Sequence, residues 1–210
     1  MEHQTLADIT LYDMIKRLLD ITSSMLALFV LSPLFIIVMM MIKMSEPQAP
    51  IFFSQVRLGK NKKPFKIYKF RTMRVGAEKQ INSLLEKNEV EGAMFKMKND
   101  PRVTKVGAFL RKTSIDEFPQ LFNVLKGDMA LVGPRPPLPR EVAKYNSYEL
   151  QRLTITPGCT GLWQVSGRNE LDFKEMVELD LHYIQIRSLM TDIKIMIKTI
   201  FVIVGEKNGY

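Results

Sequence analysis

Cysteine and histidine are nearly missing from this 210-residue chain: Cys159 is the single thiol, and His3 and His182 are the two imidazoles. An intramolecular disulfide is therefore excluded, and so is a zinc cluster built on several cysteines or histidines. Also absent are a G-x-x-x-x-G-K-[ST] phosphate loop, a G-x-G-x-x-G fingerprint and a G-x-S-x-G nucleophile elbow. A nucleotide, if bound, is held in some other way. Acidic residues are missing from one stretch, Arg57 to Arg74, which carries eight basic side chains. With 30 Lys+Arg against 22 Asp+Glu the chain is +8, so outside that stretch it is neutral. A uniformly basic chain would suggest nucleic acid, whereas one stripe suggests a surface that meets phosphate, on a lipid headgroup or on a substrate.

What is present is enough apolar residue, 46% against 25% charged, to bury a core in a chain sized for one ordinary domain plus an appended element. The longest uncharged run, 22 residues from Ile21 to Ile42 between Asp20 and Lys43, covers a bilayer core of roughly 30 Å as a straight helix. Pro33 near its middle cannot donate to the carbonyl of Phe29. Two arrangements follow: a kinked spanning helix, the plainer reading of a lone proline, in which Ser32 supplies the missing donor, or a helix–break–helix hairpin that re-enters the same face. Basic residues flank both sides (Lys16, Arg17; Lys43, Arg57, Lys60), which puts the main body in the cytoplasm either way.

Beyond a linker at 45–50, Ile51–Gln55 and Phe65–Phe70 read as a hairpin turning at 58–61. Residues 76–92 read as a polar helix or mobile segment. Leu121, Phe122 and Leu125 predict a short amphipathic helix stopped by Gly127, and 139–153 and 172–204 show longer helical patterns. In the last of these, Lys194 and Lys198 share a face of an otherwise apolar helix. Such a helix lies along an anionic interface or is buried in the core.

Asp116 and Glu117, in Thr113-Ser114-Ile115-Asp116-Glu117-Phe118-Pro119, fall at a helix start because Pro119 suits only a first turn. A helix N-terminus favours ionised carboxylates, the form a nucleophile or a metal ligand needs. Thr113 and Ser114 also open S/T-x-x-D/E patterns that serve in helix capping, the plainer role for either acid taken alone. One short helix later comes Gly133-Pro134-Arg135-Pro136-Pro137. Its prolines restrict how Arg135 is presented, as a phosphate-binding fork or as a solvated arginine in a polyproline-like linker. His182 reads as structural, and Cys159, in a turn with no base nearby, is assigned no role.

Taken in order, Lys16-Arg17-Leu18-Leu19-Asp20, Ser32-Pro33, Lys66 to Met73, Thr113 to Gln120, Val132 to Pro136 and Gly161 to Arg168 resemble the bacterial sugar transferase family of monotopic phosphoglycosyl transferases. The likeness covers about residues 14–210, in the form of the family's stand-alone catalytic unit. It implies an α/β fold: a small mixed catalytic domain over 45–210, with amphipathic interfacial helices, following an N-terminal segment and re-entrant membrane helix over 1–44 broken at Ser32-Pro33. It implies transfer of a hexose-1-phosphate from a UDP-sugar to polyprenyl phosphate with release of UMP, and Mg²⁺ as cofactor. The site is the cytoplasmic face of a bacterial inner membrane, with membrane lipid as a partner and no nucleic acid. By the same resemblance Asp116 is the nucleophile and Glu117 the Mg²⁺ ligand. Arg111 contacts phosphate, Pro134, Arg135 and Pro136 meet the nucleotide, and Lys69 and Arg168 match charged positions of the substrate site. The form of the Leu162 to Arg168 motif resembles members that use galactose or glucose donors. The competing reading from another class is a membrane-anchored binding module whose basic stripe docks on anionic lipid or nucleic acid without catalysis.

Overall fold

The computed structural model describes residues 11–80, 97, 100–167 and 171–205. Its longest element is helix α1 (Leu11–Ser45), helical throughout its 35 residues. The expected interruption at Ser32-Pro33 is not there: the Ser32 hydroxyl donates to the Phe29 carbonyl at 2.8 Å, serving the acceptor that proline leaves without an N–H, so the helix continues through it. One stripe of α1, Asp20, Ser24, Phe35, Val38 and Ile42, is buried at spacings of three, four and eleven that return to one helix face. Leu18, Met25, Leu26, Phe29, Val30, Ile37 and Met40 are exposed. The helix is long and apolar enough to cross a membrane, and it is docked along most of its length on the rest of the protein.

That docking has an apolar half and a polar half. Phe35, Val38 and Ile42 pack with Phe70 and Leu110, and Phe35 meets Phe70 edge-on, ring centres 5.0 Å apart. Nearer the start of the helix, Arg17 donates to the carbonyls of Val124 and Leu125 and Leu131 N–H donates to Asp20.

Strands β1 (Phe52–Leu58) and β2 (Pro64–Phe70) pair antiparallel, from Phe52 opposite Phe70 to Leu58 opposite Pro64. The turn lies at 59–63, two residues beyond the expected place, because Asn61 and Lys62 take left-handed conformations (φ 54° and 61°). Helix α2 (Lys105–Lys112) and helix α3 (Gln120–Lys126) follow, α3 ending at Gly127 with φ 88° as the glycine predicted. The buried face of α3, however, is Gln120, Asn123 and Val124 rather than its leucines. The Asn123 side chain accepts from Tyr68 N–H and donates to Lys66 C=O, satisfying the free edge of β2. Strand β3 (Ala130–Val132) pairs in parallel with β4 (Gly158–Thr160), so Cys159 lies in a strand and not in a turn.

The helical pattern at 139–153 resolves into a single turn, α4 (Pro139–Val142), and a 3₁₀ segment at Glu149–Leu153. Between them the Asn146 side chain accepts from the N–H groups of Tyr148 and Glu149, competing with helix continuation. The last pattern divides into α5 (Phe173–Ile186), opened by a reciprocal Asp172–Glu175 capping box, and α6 (Leu189–Gly205). His182 is exposed on α5. Along α6, Asp192 and Ile195 are buried while Ile193, Ile197, Ile200 and Phe201 are exposed beside Lys194 and Lys198. One side of this helix joins the core, and the other is apolar, basic and exposed.

Candidate active site

Helix α2 stops at Thr113, whose hydroxyl turns back to the carbonyls of Phe109 and Leu110. Ser114 then adopts a left-handed conformation (φ 55°) and starts a 3₁₀ turn, Ile115–Glu117, that carries both acids directly into Pro119 and α3. Neither Thr113 nor Ser114 caps that turn through its side chain, so the capping role considered for this segment is not the one it plays. Asp116 is buried, 7% exposed. Its carboxyl is pushed up to about 6 by burial, with Glu117 adding to the rise and Lys69 and Arg111 opposing it. The ionising effect expected of a helix start is outweighed by loss of water. At neutral pH the group is still mostly ionised, by roughly ten to one.

Two cations converge on this turn. Lys69, from β2, places its ammonium 2.5 Å from Glu117 Oε1. Arg111, from the last turn of α2, donates from Nε to Thr72 Oγ1 at 3.0 Å, and its guanidinium is lowered by burial but supported by Asp116. Arg111 gets there because α2 lies hard against the backbone after β2. A Cβ at Gly107 would stand 2.0 Å from the Thr72 carbonyl oxygen, so only glycine allows that approach. Among the described residues no three His, Cys, Asp or Glu side chains gather as metal ligands. The available donor set is the adjacent pair Asp116 and Glu117, which suits an ion that takes one or two carboxylates and completes its shell with substrate phosphate and water, as Mg²⁺ does.

The segment after β3 is built into the body. Gly133 N–H donates to Thr160 C=O and Gly158 N–H to Pro134 C=O, both at 2.9 Å, and Leu58 N–H donates to Pro137 C=O at 2.9 Å. Arg57 Nη1 donates to Pro136 C=O at 3.1 Å. Pro134 and Pro136 are buried and Arg135 is half-buried between them, so the segment is packed into the body rather than running as a free linker. Arg57 itself is lowered to about 10, by burial first and Arg135 second, with Glu141 and Glu117 opposing. Its contact is with the proline-flanked loop, through the Pro136 carbonyl.

Of the residues the sequence put forward, Lys69, Arg111, Asp116 and Glu117 come together, while Pro134, Arg135 and Pro136 lie in the loop that β1 and β4 hold. Arg168 lies outside the described residues. The basic stripe does not form one face: Arg57 is buried, Lys69 pairs with Glu117, Arg71 donates to Pro50 C=O, and Lys60, Lys62, Lys63 and Lys66 are exposed. Arg57, Thr72 and Gly107 were not singled out. Arg57 entered only as a flanking basic residue and the start of the basic stripe, and the expected strand stopped at Gln55, two residues short of it.

The sequence profile of the family described as bacterial sugar transferase matches residues 11–206. The chain belongs to the bacterial sugar transferase family. It is 50% identical over 189 residues to the galactosyl transferase CpsE of Streptococcus agalactiae, 90% of this chain and 42% of that protein. It is 42% identical over 200 residues to the undecaprenyl-phosphate galactose phosphotransferase of Salmonella typhimurium, 93% and 42%. With the exopolysaccharide production protein ExoY of Sinorhizobium fredii it shares 41% identity over 199 residues, 93% and 88%. The chain thus spans 42% of the length of the first two relatives and nearly all of the third. The family profile begins at Leu11, the first residue of α1, so the docked apolar helix is part of what this sugar transferase unit shares with its relatives.

Proposed function

We propose that this sugar transferase moves a hexose-1-phosphate from a UDP-sugar to a polyprenyl phosphate, releasing UMP and forming a polyprenyl-diphosphate sugar. The observation that carries the reading is the acid turn: a buried Asp116 beside Glu117, with Lys69 and Arg111 converging on it. In the first step an Asp116 oxygen attacks the β-phosphorus, the bond to the α-phosphate's bridging oxygen breaks, and UMP leaves. In the second, an oxygen of polyprenyl phosphate attacks the same phosphorus and Asp116 departs as carboxylate. Arg111 and Lys69 neutralise equatorial oxygens, and Arg135 holds the nucleotide end of the donor by its planar fork. Glu117 would hold Mg²⁺ together with the donor's phosphates, and the ion when bound supplies further neutralisation of the diphosphate. The relatives named for galactose transfer support UDP-galactose as the donor to try first.

The membrane reading is monotopic, with the body on the cytoplasmic face of a bacterial inner membrane. It is supported by α1 itself, whose polar contacts near Arg17 and apolar contacts near Ile42 engage the same body. A helix crossing the bilayer would carry one set to the far side. Single cysteines at Thr5 and Asn208 in a Cys159→Ser background test it. Both should be protected from an impermeant thiol reagent on intact cells, and labelling at position 5 alone overturns it.

Incubation with UDP-galactose labelled in the sugar and β-phosphate, with Mg²⁺ and no lipid, should leave both labels on Asp116. A rapid quench without labelled protein, together with kinetics requiring a ternary complex, would replace the covalent route by direct attack of the lipid phosphate. UDP-sugar consumption that does not depend on polyprenyl phosphate would overturn the overall reaction.

A further inference from the structure

We propose that Arg57 is a positioning residue for donor binding, acting through the proline-flanked loop by holding the Pro136 carbonyl and so fixing where Arg135 points. The proposal rests on the reading of Arg135 as a donor-binding group and extends it to a residue in another element. Arg57 closes β1 with its side chain turned inward and 8% exposed. Its two terminal nitrogens are committed, Nη1 to Pro136 C=O at 3.1 Å and Nη2 to Gln55 Oε1 at 3.0 Å. The next residue, Leu58, donates its backbone N–H to Pro137 C=O. Two successive residues of β1 therefore grip two successive carbonyls directly after Arg135, while β4 grips the loop from the other end at Pro134 C=O. Nε of Arg57 is buried without a partner among the described residues, and burying a guanidinium with one N–H unsatisfied is costly. For core filling alone, an apolar side chain would serve better. What a charge adds here is a strong, directional bond to a proline-bounded carbonyl. It also adds a second positive centre behind Arg135, which favours an anion on the open side of the loop. Since Nε is closed to solvent, Arg57 itself does not touch the donor.

The experiment is a double-mutant cycle on the full chain in membrane mimetic, reading KM for UDP-galactose, kcat, KM for polyprenyl phosphate and UDP binding. Arg135→Ala should raise donor KM and weaken UDP binding. Arg57→Gln should do the same by about tenfold, the cost of one charge-assisted bond, with kcat and lipid KM changed less than about threefold. Arg57→Lys should recover part of the loss. In an Arg135→Ala background, Arg57→Gln should add less than about twofold, because residues acting through one another are not additive. A full tenfold loss in that background would show that Arg57 acts on its own. An unchanged donor KM with only a lower melting temperature would make Arg57 a structural filler; either result overturns the proposal. If Arg57→Gln does not fold, the cycle is run with Arg57→Lys. If Arg135→Ala leaves donor affinity intact, it is the assignment of Arg135 that fails, and the two failures are told apart.

Discussion

Asp192 and Asp116 are withdrawn from water to the same degree, 5% and 7% exposed, yet they are bonded in opposite ways. Asp192, in the first turn of α6, accepts from Tyr12 OH at 3.0 Å and Lys16 Nζ at 2.9 Å, both on α1, and from Tyr183 OH at 2.7 Å on α5. Asp116 accepts from no side-chain donor among the described residues; Lys69, Arg111 and a hydrogen bond from its own backbone N–H support its charge. The first carboxylate is satisfied and locks three helices together. The second has given up water for weaker support, the pattern of a group set for chemistry rather than for holding the fold together.

The sharpest way to break this contrast is to neutralise each acid. Asp116→Asn should lose at least about 10³-fold in turnover, the scale seen when a nucleophile is removed, and yet be more stable than the parent protein at pH 8 without metal. The folded state binds the Asp116 proton more tightly than the unfolded chain does. The carboxylate therefore costs stability above about pH 6, on the order of 3 kcal/mol. That cost disappears below about pH 4, where the melting curves of the two proteins should converge. Asp192→Ala should do the reverse, destabilising by about 3–5 kcal/mol because a buried ammonium and two phenols lose their acceptor. Any activity loss should follow the folded fraction. If Asp116→Asn is the destabilised variant, the acid turn is structural and the distinction collapses.

A gentler probe is pH. With its folded pKa at about 6, Asp116 should lose nucleophilic form as the solution is acidified. Turnover should then fall about tenfold per pH unit below that point. A profile flat to pH 5 would mean that bound substrate or metal holds the carboxyl lower. The smallest effect lies far from both acids: Lys62→Gly at the hairpin tip, where Lys62 has φ 61°, should raise stability by about 0.5–1 kcal/mol by relieving a left-handed side-chain residue, with turnover unchanged.

The acid turn was legible because Pro119 and Gly127 bracket a short helix on any backbone, and Arg135 because prolines announce a fixed loop. The hairpin was legible from its aromatic and β-branched strands, but its turn was displaced, since propensity does not foresee Asn61 and Lys62 in left-handed conformations. Asn123 reads as a surface residue in an amphipathic helix. Its burial follows from the unpaired edge of β2, a tertiary fact that no local pattern contains. The same holds for the continuity of α1 through Pro33, which depends on a hydroxyl one residue away choosing the right carbonyl. Nor does any spacing rule connect Asp192 to Tyr12 and Lys16, 180 and 176 residues apart.

That separation sets an order of events during synthesis. Helix α1 emerges from the ribosome early, and Asp192, which accepts from its Tyr12 and Lys16, follows only about 10–40 s later at ordinary elongation rates. Arg187, which donates to Asp13 at 3.3 Å, belongs to the same late segment. Through that interval the helix can already seat on Phe70 and Leu110 and anchor Arg17 and Asp20 at residues 124–131, but the contacts of Tyr12, Asp13 and Lys16 are still missing. The docking of α1 is therefore completed in two stages, its middle and end first and its opening turns only when nearly the whole chain has been made.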